Sequence, residues 1–550
     1  MPESLVRDFA NVTRLGHDSA AFRVLACDSI TPAGLAALLP LACIDIRPAL
    51  LPEDLVACIA DYDALLVRSA TKVTAEALAA ARCLKIVGRA GVGVDNIDVA
   101  AATRRGIVVV NSPEGNTIAA AEHTLGLLLA LARHIPAADT AMKAGQWERD
   151  CFVGVELYHK TLGILGLGRI GQRVATLVRA FAMQVIGTDP YFAPERAQIQ
   201  GIEWVDFATL LETSDFLTIH VPRTTETLNL FDRATLLRMK RGARLINAAR
   251  GGIVDEVALA EVITAGHLAG AALDVFGKEP LGESVLRNLG SKVVLTPHLG
   301  ASTQEAQLKV ASDVAEQVKK VLTGQLTRGA VNIPAMQPEL VGPVRNFLPL
   351  AEKLGALLGQ IRGQAIRRIA ITYAGKLAEL ATEPLTVAVL QGLLGNVMEG
   401  VNYVNAALLA QEHGIEVCET RTTELCEYSD LISITAARNS SDPLAACRTL
   451  AGTLLGEGNP RIVRIDDYRF NLEPSGHLLF ITHQDVPGAV GRVGTMLGER
   501  SINIHGLQLG RQQLGGQALL AINVDEPIGT DLLDQLAAVP GFFDVKFVML

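Results

Sequence analysis

The sequence predicts an α/β protein: two parallel sheets covered by helices, one inserted into the other, then a mixed α+β block and a small C-terminal block. Three observations carry that expectation. From Phe22 short apolar runs alternate with helical stretches, the pattern of parallel strands joined by helices. A second such series opens at Thr161 on a glycine-rich turn, TLGILGLGRIGQRV. The final stretch reads strand, helix, strand, strand, helix, strand, which is the ferredoxin-like order.

Composition sets the bounds. A chain of 550 residues should divide into three or four domains. Apolar residues make up 49% and charged residues 19%, a balance of folded domains with little room for long disordered tracts. Aromatics are only 4%, so the cores are Ala, Val, Leu and Ile packing. Net charge is −9 and no segment concentrates Lys or Arg, which argues against nucleic acid. Cysteines 27, 43, 58, 83, 151, 418, 426 and 447 form no CxxC pair and have no His neighbours at metal-ligand spacing. No metal is expected, and the thiols read as buried and free in a reducing cytoplasm. The first twenty residues carry Glu3, Asp8 and Asp18 and lack the apolar core of a secretion signal. IAAAEHTLGLLLALARHI, from Ile118, contains Glu122 and His123 and falls short of a membrane span. It reads as a helix buried in a core or a subunit interface.

The elements follow in order. FRVLAC, TPAGLAALL, CIDIR, ALLVRS and AEALAAARCLKIVGRAG alternate strand and helix in the first series. TLGILG, QVIGTD, FLTIHVP, ARLINAA, GAALDVF and KVVLTP are the strands of the second. STQEAQLKVASDVAEQVKKVLTG is helical and closes on Gly324. The Pro- and Gly-rich TRGAVNIPAMQPELVGP reads as a linker. A third block includes the helix-like EGVNYVNAALLAQEHG, and EPSG turns into the last block.

Gly166, Gly168 and Gly171 form GxGxxG between a strand and a helix. The first glycine permits the tight turn, the second lets backbone approach a pyrophosphate, and the third allows close strand-helix packing. Phosphate then rests on the helix N-terminus. Asp189 ends the next strand, 23 residues after Gly166, where an acid binds the ribose 2′-hydroxyl. An acid there repels a 2′-phosphate, so NAD is expected rather than NADP.

Three later strand ends carry polar groups: Arg250 in INAARGGIVDE, Glu279 in LDVFGKEP and His298 in LTPHLGAST. Ligands of open α/β sheets bind at the carboxyl ends of strands, so the three can converge. A guanidinium can hold an α-carboxylate through paired hydrogen bonds. An imidazole can take a hydroxyl proton as hydride leaves, and a carboxylate behind it can sustain the imidazolium. Together they describe a 2-hydroxy acid dehydrogenase. Singly, His298 could be a capping or core histidine, Glu279 a solvated loop charge, and Arg250 a surface ion-pair partner.

GLGRIG, NAARGGIVDE, AALDVFGKEP and PHLGAST resemble the D-isomer-specific 2-hydroxyacid dehydrogenase family, and VRSATKVT with VGRAGVGVDNID narrows this to its phosphoglycerate dehydrogenase branch. The resemblance implies a Rossmann-type NAD domain (119–299) inserted into a flavodoxin-like substrate domain (22–118 and 300–328). An N-terminal extension (1–21), a linker (329–339), an intervening domain (340–470) and a regulatory ACT domain (476–550) complete the chain. It makes Arg250 the carboxylate ligand, His298 the acid/base and Glu279 its partner. Cofactor contacts are implied for Arg169, Ile170, Asp189, Val221, Ala248, Ala249, Arg250, Asp274, His298, Leu299, Gly300 and Ala301. Arg68, Ser69 and the backbone of Gly91, Val92 and Gly93 would face substrate and its phosphate. Without the resemblance, Arg68 reads as a structural ion pair. Val92 stands where some relatives carry a hydroxyl, which leaves backbone contacts there. Arg133 and Lys143 could extend a cationic rim toward a phosphate across a subunit interface, in a homodimer or homotetramer. In the ACT block, His483, Asp485 and Asn503 become candidates for an amino-acid effector, L-serine by analogy; Asp before Pro-Gly is also a common helix-start device.

The expected reaction is NAD-dependent oxidation of D-3-phosphoglycerate, the entry step of serine synthesis. Two readings compete with it: a dehydrogenase for another 2-hydroxy acid, such as glyoxylate or hydroxypyruvate reduction, and a nucleotide-sensing corepressor on the same fold. The complete Arg, Glu, His set disfavours the second.

Overall fold

Val24, Leu25, Ile44 and Leu65 are wholly buried, as apolar runs are when helices cover both faces of a parallel sheet. In the computed structural model, which describes residues 13–17, 19–362, 366–424, 427–437, 448–456 and 458–550, these residues lie in the first sheet. Its strands are β1 (Thr13–Leu15), β2 (Phe22–Ala26), β3 (Ala42–Ile46), β4 (Ala64–Val67), β5 (Ile86–Arg89) and β6 (Val108–Asn111), in the order β1-β3-β2-β4-β5-β6. The five parallel strands have the flavodoxin-like order.

The sequence reading missed β1, which belongs to the expected N-terminal extension yet pairs antiparallel with β3. A buried carboxylate pins it there. Asp45, 2% exposed, accepts hydrogen bonds from Arg14 Nε at 2.8 Å and Tyr62 Oη at 2.6 Å. Burial pushes its carboxyl upward, but these two donors and the charges of Arg14 and Arg23 hold it below the usual range.

The second sheet holds β7 (Thr161–Leu165), β8 (Gln184–Thr188), β9 (Glu203–Trp204), β10 (Phe216–Ile219), β11 (Arg244–Asn247), β12 (Gly270–Leu273) and β13 (Val293–Leu295). All neighbours are parallel, in the order β13-β12-β11-β10-β7-β8-β9. Chain order reverses between β7 and β10, the switch point where Rossmann-type sheets bind ligands. β9, at two residues, is too short to register as a periodic run.

Two helices explain the insertion. Thr117–Arg133 buries Leu127, Leu128 and Leu131 against the second sheet, and Gln304–Leu322 returns to bury Val310, Val314 and Val318 against the first. Thr303 caps the returning helix by accepting from Ala306 N at 3.1 Å, and Gly324 closes it at φ +75°. The expected linker is instead packed. Val331 N donates to Val109 O at 2.7 Å, and the Asn332 amide serves Val109 N and Ile107 O, so this segment covers the open edge of β6. Ile333 and Met336 are buried beneath it.

The third sheet comprises β14 (Arg368–Gly375), β15 (Glu416–Thr422), β16 (Asp430–Ala437), β17 (Arg448–Leu455), β18 (Asn459–Ile465) and β19 (Tyr468–Leu472), ordered β15-β14-β16-β17-β18-β19. Leu354 and Leu393, from helices Leu348–Arg362 and Glu383–Gly395, enter its core. Only Ala406–Glu412 of the expected helix forms. Before it, the Asn405 carboxamide oxygen accepts from Asn402 N at 2.8 Å, a local side-chain bond that competes with helical pairing.

β20 (His477–Gln484), β21 (Ile504–Arg511), β22 (Gln517–Val524) and β23 (Phe542–Met549) form the last sheet, ordered β21-β22-β20-β23, with helices Ala489–Glu499 and Thr530–Ala537. The expected βαββαβ block is present. Its two edges are tied to the preceding block by glutamine amides. Gln508 accepts from Asn471 N at 2.7 Å and donates to Asn471 O, while Gln360 donates to Met549 O at 2.8 Å and accepts from Met549 N at 3.0 Å.

The thiols are not uniformly buried: Cys27 and Cys43 are, Cys58 and Cys418 are half-buried, and Cys83 and Cys151 are exposed. Cys426 and Cys447 lie outside the described residues, as does most of the N-terminal extension. Among the described residues no helix is long and apolar enough to cross a membrane, and no His, Cys, Asp or Glu cluster could hold a metal ion.

Replacing Asp45 with Ala leaves the Tyr62 hydroxyl without its acceptor and should cost about 1–3 kcal/mol in urea unfolding. Because folding depresses its pKa, the Asp45 contribution is present above the unfolded carboxylate range near ~4 and is lost as pH falls through the lower folded value. Unchanged stability at neutral pH in the Ala variant would contradict this anchor.

Candidate active site

Both parallel sheets send strand ends to one cleft of about 280 Å³. Arg68 and Ser69 follow β4, Arg89 ends β5, His220 and Val221 follow β10, Ala248 to Arg250 follow β11, and His298, Gly300 and Ala301 follow β13.

On the nucleotide wall, Gly166 has φ +94°, and a Cβ there would lie 2.6 Å from His220 O. Gly168 faces open space at the start of helix Arg169–Val178, as an approaching pyrophosphate requires. A Cβ on Gly171 would lie 2.1 Å from Gly166 O, so only glycine lets the helix close on the turn. Asp189 Oδ2 accepts from Leu167 N at 2.9 Å and Oδ1 from Tyr191 N at 2.8 Å, fixing the acid beside the glycine loop. Ile170, Val221, Ala248 and Ala249 line the cleft. Open backbone donors, an apolar lining and a fixed acid suit a dinucleotide. His220 also lines the cleft, and burial pulls its ring down to about 4, leaving it neutral.

At the centre, His298 Nδ1 lies 2.7 Å from Glu279 Oε2. Burial pushes the Glu279 carboxyl up, but hydrogen bonds from His298 and Phe276 N, with the histidine's charge, bring it below its ordinary value. His298 occupies the left-handed region at φ +56°, a conformation that the surrounding bonds must hold. Asp274 does much of this from behind. Fully buried, its carboxylate accepts from Leu299 N at 2.7 Å, Gly300 N at 2.8 Å and Thr296 Oγ1 at 2.6 Å, with His123 Nε2 at 3.1 Å. Burial alone would raise its pKa, yet His123 and these donors lower it. Asp274 was expected to contact the cofactor. In the chain its oxygens hold the turn that carries His298, and it sits behind the cleft lining.

The opposite wall is cationic. Arg68, Arg89 and Arg250 all line the cleft. Arg89 was not among the expected side-chain contacts, although its place at a strand end is the signal that selected Arg250. Burial pulls the Arg89 guanidinium down to about 10, with the charges of Arg250 and Arg68 adding to the effect against Asp95 and Asp28. Its Nε is buried with no hydrogen-bond partner among the described residues. Arg250 donates from Nη1 to Ala249 O at 2.7 Å and from Nε to Asp95 Oδ2 at 3.1 Å.

The Arg68 loop has its own supports, which sequence reading also missed. Asp28 accepts from Arg68 N at 2.7 Å, Thr71 N at 3.1 Å and Thr71 Oγ1 at 2.5 Å. Asn96 Nδ2 donates to Arg68 O at 2.8 Å and Thr71 O at 2.7 Å.

Three expected residues border the cleft without lining it. Arg169, beside Ile170, pairs with Glu114 at 3.3 Å, Leu299 is 40% exposed between His298 and Gly300, and Gly93 packs against Arg250. Arg133 and Lys143 are exposed and do not line the cleft; Lys143 pairs with Asp139 one helical turn away. The effector trio does not converge within one chain. His483 is 1% exposed, with Nδ1 2.7 Å from Gln484 O, and Asp485 accepts from Gly515 N at 3.2 Å. Asn503 donates to Asp525 Oδ2 at 2.7 Å. The ladder pairs His483 with Ala518 and Arg511, but Ile504 with Val524 and His477. The two groups are therefore roughly 20 Å apart along the strands.

Residues 125–300 match the family model described as D-isomer specific 2-hydroxyacid dehydrogenase, NAD binding domain; residues 343–466 match the D-3-phosphoglycerate dehydrogenase intervening domain and 477–541 the ACT domain. A D-3-phosphoglycerate dehydrogenase of Synechocystis sp. is 47% identical over 530 residues, spanning 96% of this chain and 95% of its own. One from Archaeoglobus fulgidus is 44% identical, spanning 92% and 96%. Among solved structures, an NAD-dependent formate dehydrogenase from Staphylococcus aureus in complex with NAD superposes with a TM-score of 0.51 at 31% identity, covering 56% of this chain and 97% of that one. NAD is accordingly the cofactor of the glycine-loop wall. The chain belongs to the D-isomer specific 2-hydroxyacid dehydrogenase family, in its D-3-phosphoglycerate dehydrogenase branch.

Proposed function

We propose that this chain oxidises D-3-phosphoglycerate to 3-phosphohydroxypyruvate, the first step of L-serine synthesis. The observation that carries the reading is the meeting of three guanidinium groups with a His-Glu pair in one cleft. A 2-hydroxy acid with a phosphate at its far end offers an anion at each end and an oxidisable carbon between them. The relatives' names support the same choice.

NAD, which the Gly166–Gly171 turn and Asp189 would hold, would supply the acceptor for the hydride that leaves C2. Arg250 holds the substrate carboxylate through the guanidinium donors that Asp95 and Ala249 leave over. Arg68, Arg89, Ser69 and the backbone of Gly91 and Val92 face the phosphate end. With Nδ1 turned to Glu279, His298 presents Nε2 to the C2 hydroxyl and takes its proton. Glu279, ionised at neutral pH, sustains the imidazolium that results.

Oligomerisation belongs to the same reading. Ile135, Met142, Trp147, Val153 and Tyr158 are each more than half exposed within one short segment, which supports a homodimer or homotetramer. A cytoplasmic location is consistent with exposed Cys83 and Cys151 remaining unpaired. An L-serine effector bound by Asp485 and Asn503 together would have to draw these residues from two copies of the chain.

Steady-state NAD reduction with D-3-phosphoglycerate tests the function, and its absence rejects it. His298→Asn should lower kcat by about 10²-fold or more with NAD affinity nearly unchanged; retained turnover would reject the proton-transfer role. Glu279→Gln removes the charge that favours the imidazolium, so the acid limb of the oxidation profile should move to lower pH. A limb that stays in place would mean that the carboxylate acts only as a spacer.

A further inference from the structure

Arg250 stands on the nucleotide domain, but the acid that holds it comes from the other side of the cleft. Asp95 lies in the turn after β5 and accepts from Arg250 Nε at 3.1 Å. Nη1 is tied to Ala249 O, and Nη2 passes so close to Gly93 that an added Cβ would lie 2.0 Å away. The guanidinium is thus clamped between its own loop and the Gly91–Asn96 turn. Nη2 and one Nη1 hydrogen remain for a ligand.

The next residue of that turn serves the other arginine. Asn96 donates both carboxamide hydrogens, one to Arg68 O and one to Thr71 O. One pair of adjacent side chains therefore connects to the groups assigned to the two ends of the acid. We infer that Asp95 is a positioning residue: it orients the Arg250 guanidinium across the domain boundary and, through Asn96 beside it, fixes Arg250 relative to the Arg68 loop. Asp95 does not line the cleft, so it acts through Arg250 rather than on substrate. The pair is partly open to solvent, Asp95 being 64% exposed, so its contribution lies in geometry more than in Coulomb energy.

This inference rests on Arg250 as the carboxylate ligand, and the experiment separates the two. With NAD saturating and D-3-phosphoglycerate varied, Asp95→Ala should raise KM for the acid by up to about 100-fold, the scale of loss when a positioned group is misplaced. KM for NAD and Tm should remain near wild type. Asp95→Asn, which keeps an acceptor oxygen, should recover part of the loss, and Gly93→Ala, which crowds Nη2, should reproduce it. In an Arg250→Ala background, Asp95→Ala should add nothing further. An unchanged or lowered KM for the acid in Asp95→Ala, full additivity in the double variant, or an equal rise in KM for NAD would overturn the positioning role. If Arg250→Ala alone leaves acid kinetics intact, the carboxylate assignment is what fails.

Discussion

Three guanidinium groups sharing one cleft repel one another and lose water together, and the arrangement of both sheets leads to that encounter. Arg68 and Arg89 close the adjacent parallel strands β4 and β5, while Arg250 arrives from β11 of the second sheet. Burial, with its two cationic neighbours, brings the Arg89 guanidinium down to about 10. Asp95 and Asp28 offset part of it. A ligand with two anionic ends matches the remaining demand, which is why the cleft suits a phosphorylated hydroxy acid better than an unphosphorylated one.

The insertion makes this possible. Crossing to the second sheet along Thr117–Arg133 and returning along Gln304–Leu322 sets the carboxyl ends of two separate parallel sheets facing one another. The outgoing helix also reaches the reaction centre, because His123 on it meets the buried Asp274 that holds the His298 turn. A left-handed histidine backbone persists where several such bonds hold it.

The glycine turn, Asp189 and the trio of Arg250, Glu279 and His298 were legible because each follows an apolar strand, and strand ends are where such sheets bind. Arg89 met the same criterion and was passed over because the VGRAGVGVDNID stretch was read for its backbone alone. Asp28, Asp95 and Asn96 were hidden for another reason: Asx residues in loops look like turn formers, and their partners lie 25 to 155 residues away. Asp274 sits in a family motif, but only burial reveals that its carboxylate faces the turn. The TRGAVNIPAMQPELVGP stretch looked like a linker because composition alone does not say that Asn332 covers a sheet edge. His483, Asp485 and Asn503 were grouped by the family resemblance alone, and only the strand register reveals that, within one chain, His483 and Asp485 lie at the opposite end of the sheet from Asn503.

Division of the acid between two cationic ends is most directly tested by comparing kcat/KM for D-3-phosphoglycerate with that for D-glycerate in the wild-type chain and in Arg68→Ala. Arg68→Ala should lose most of the preference for the phosphorylated acid while its kcat/KM for D-glycerate stays close to wild type. An equal loss on both acids would contradict it, because Arg68 would then serve the fold or the common carboxylate rather than the phosphate.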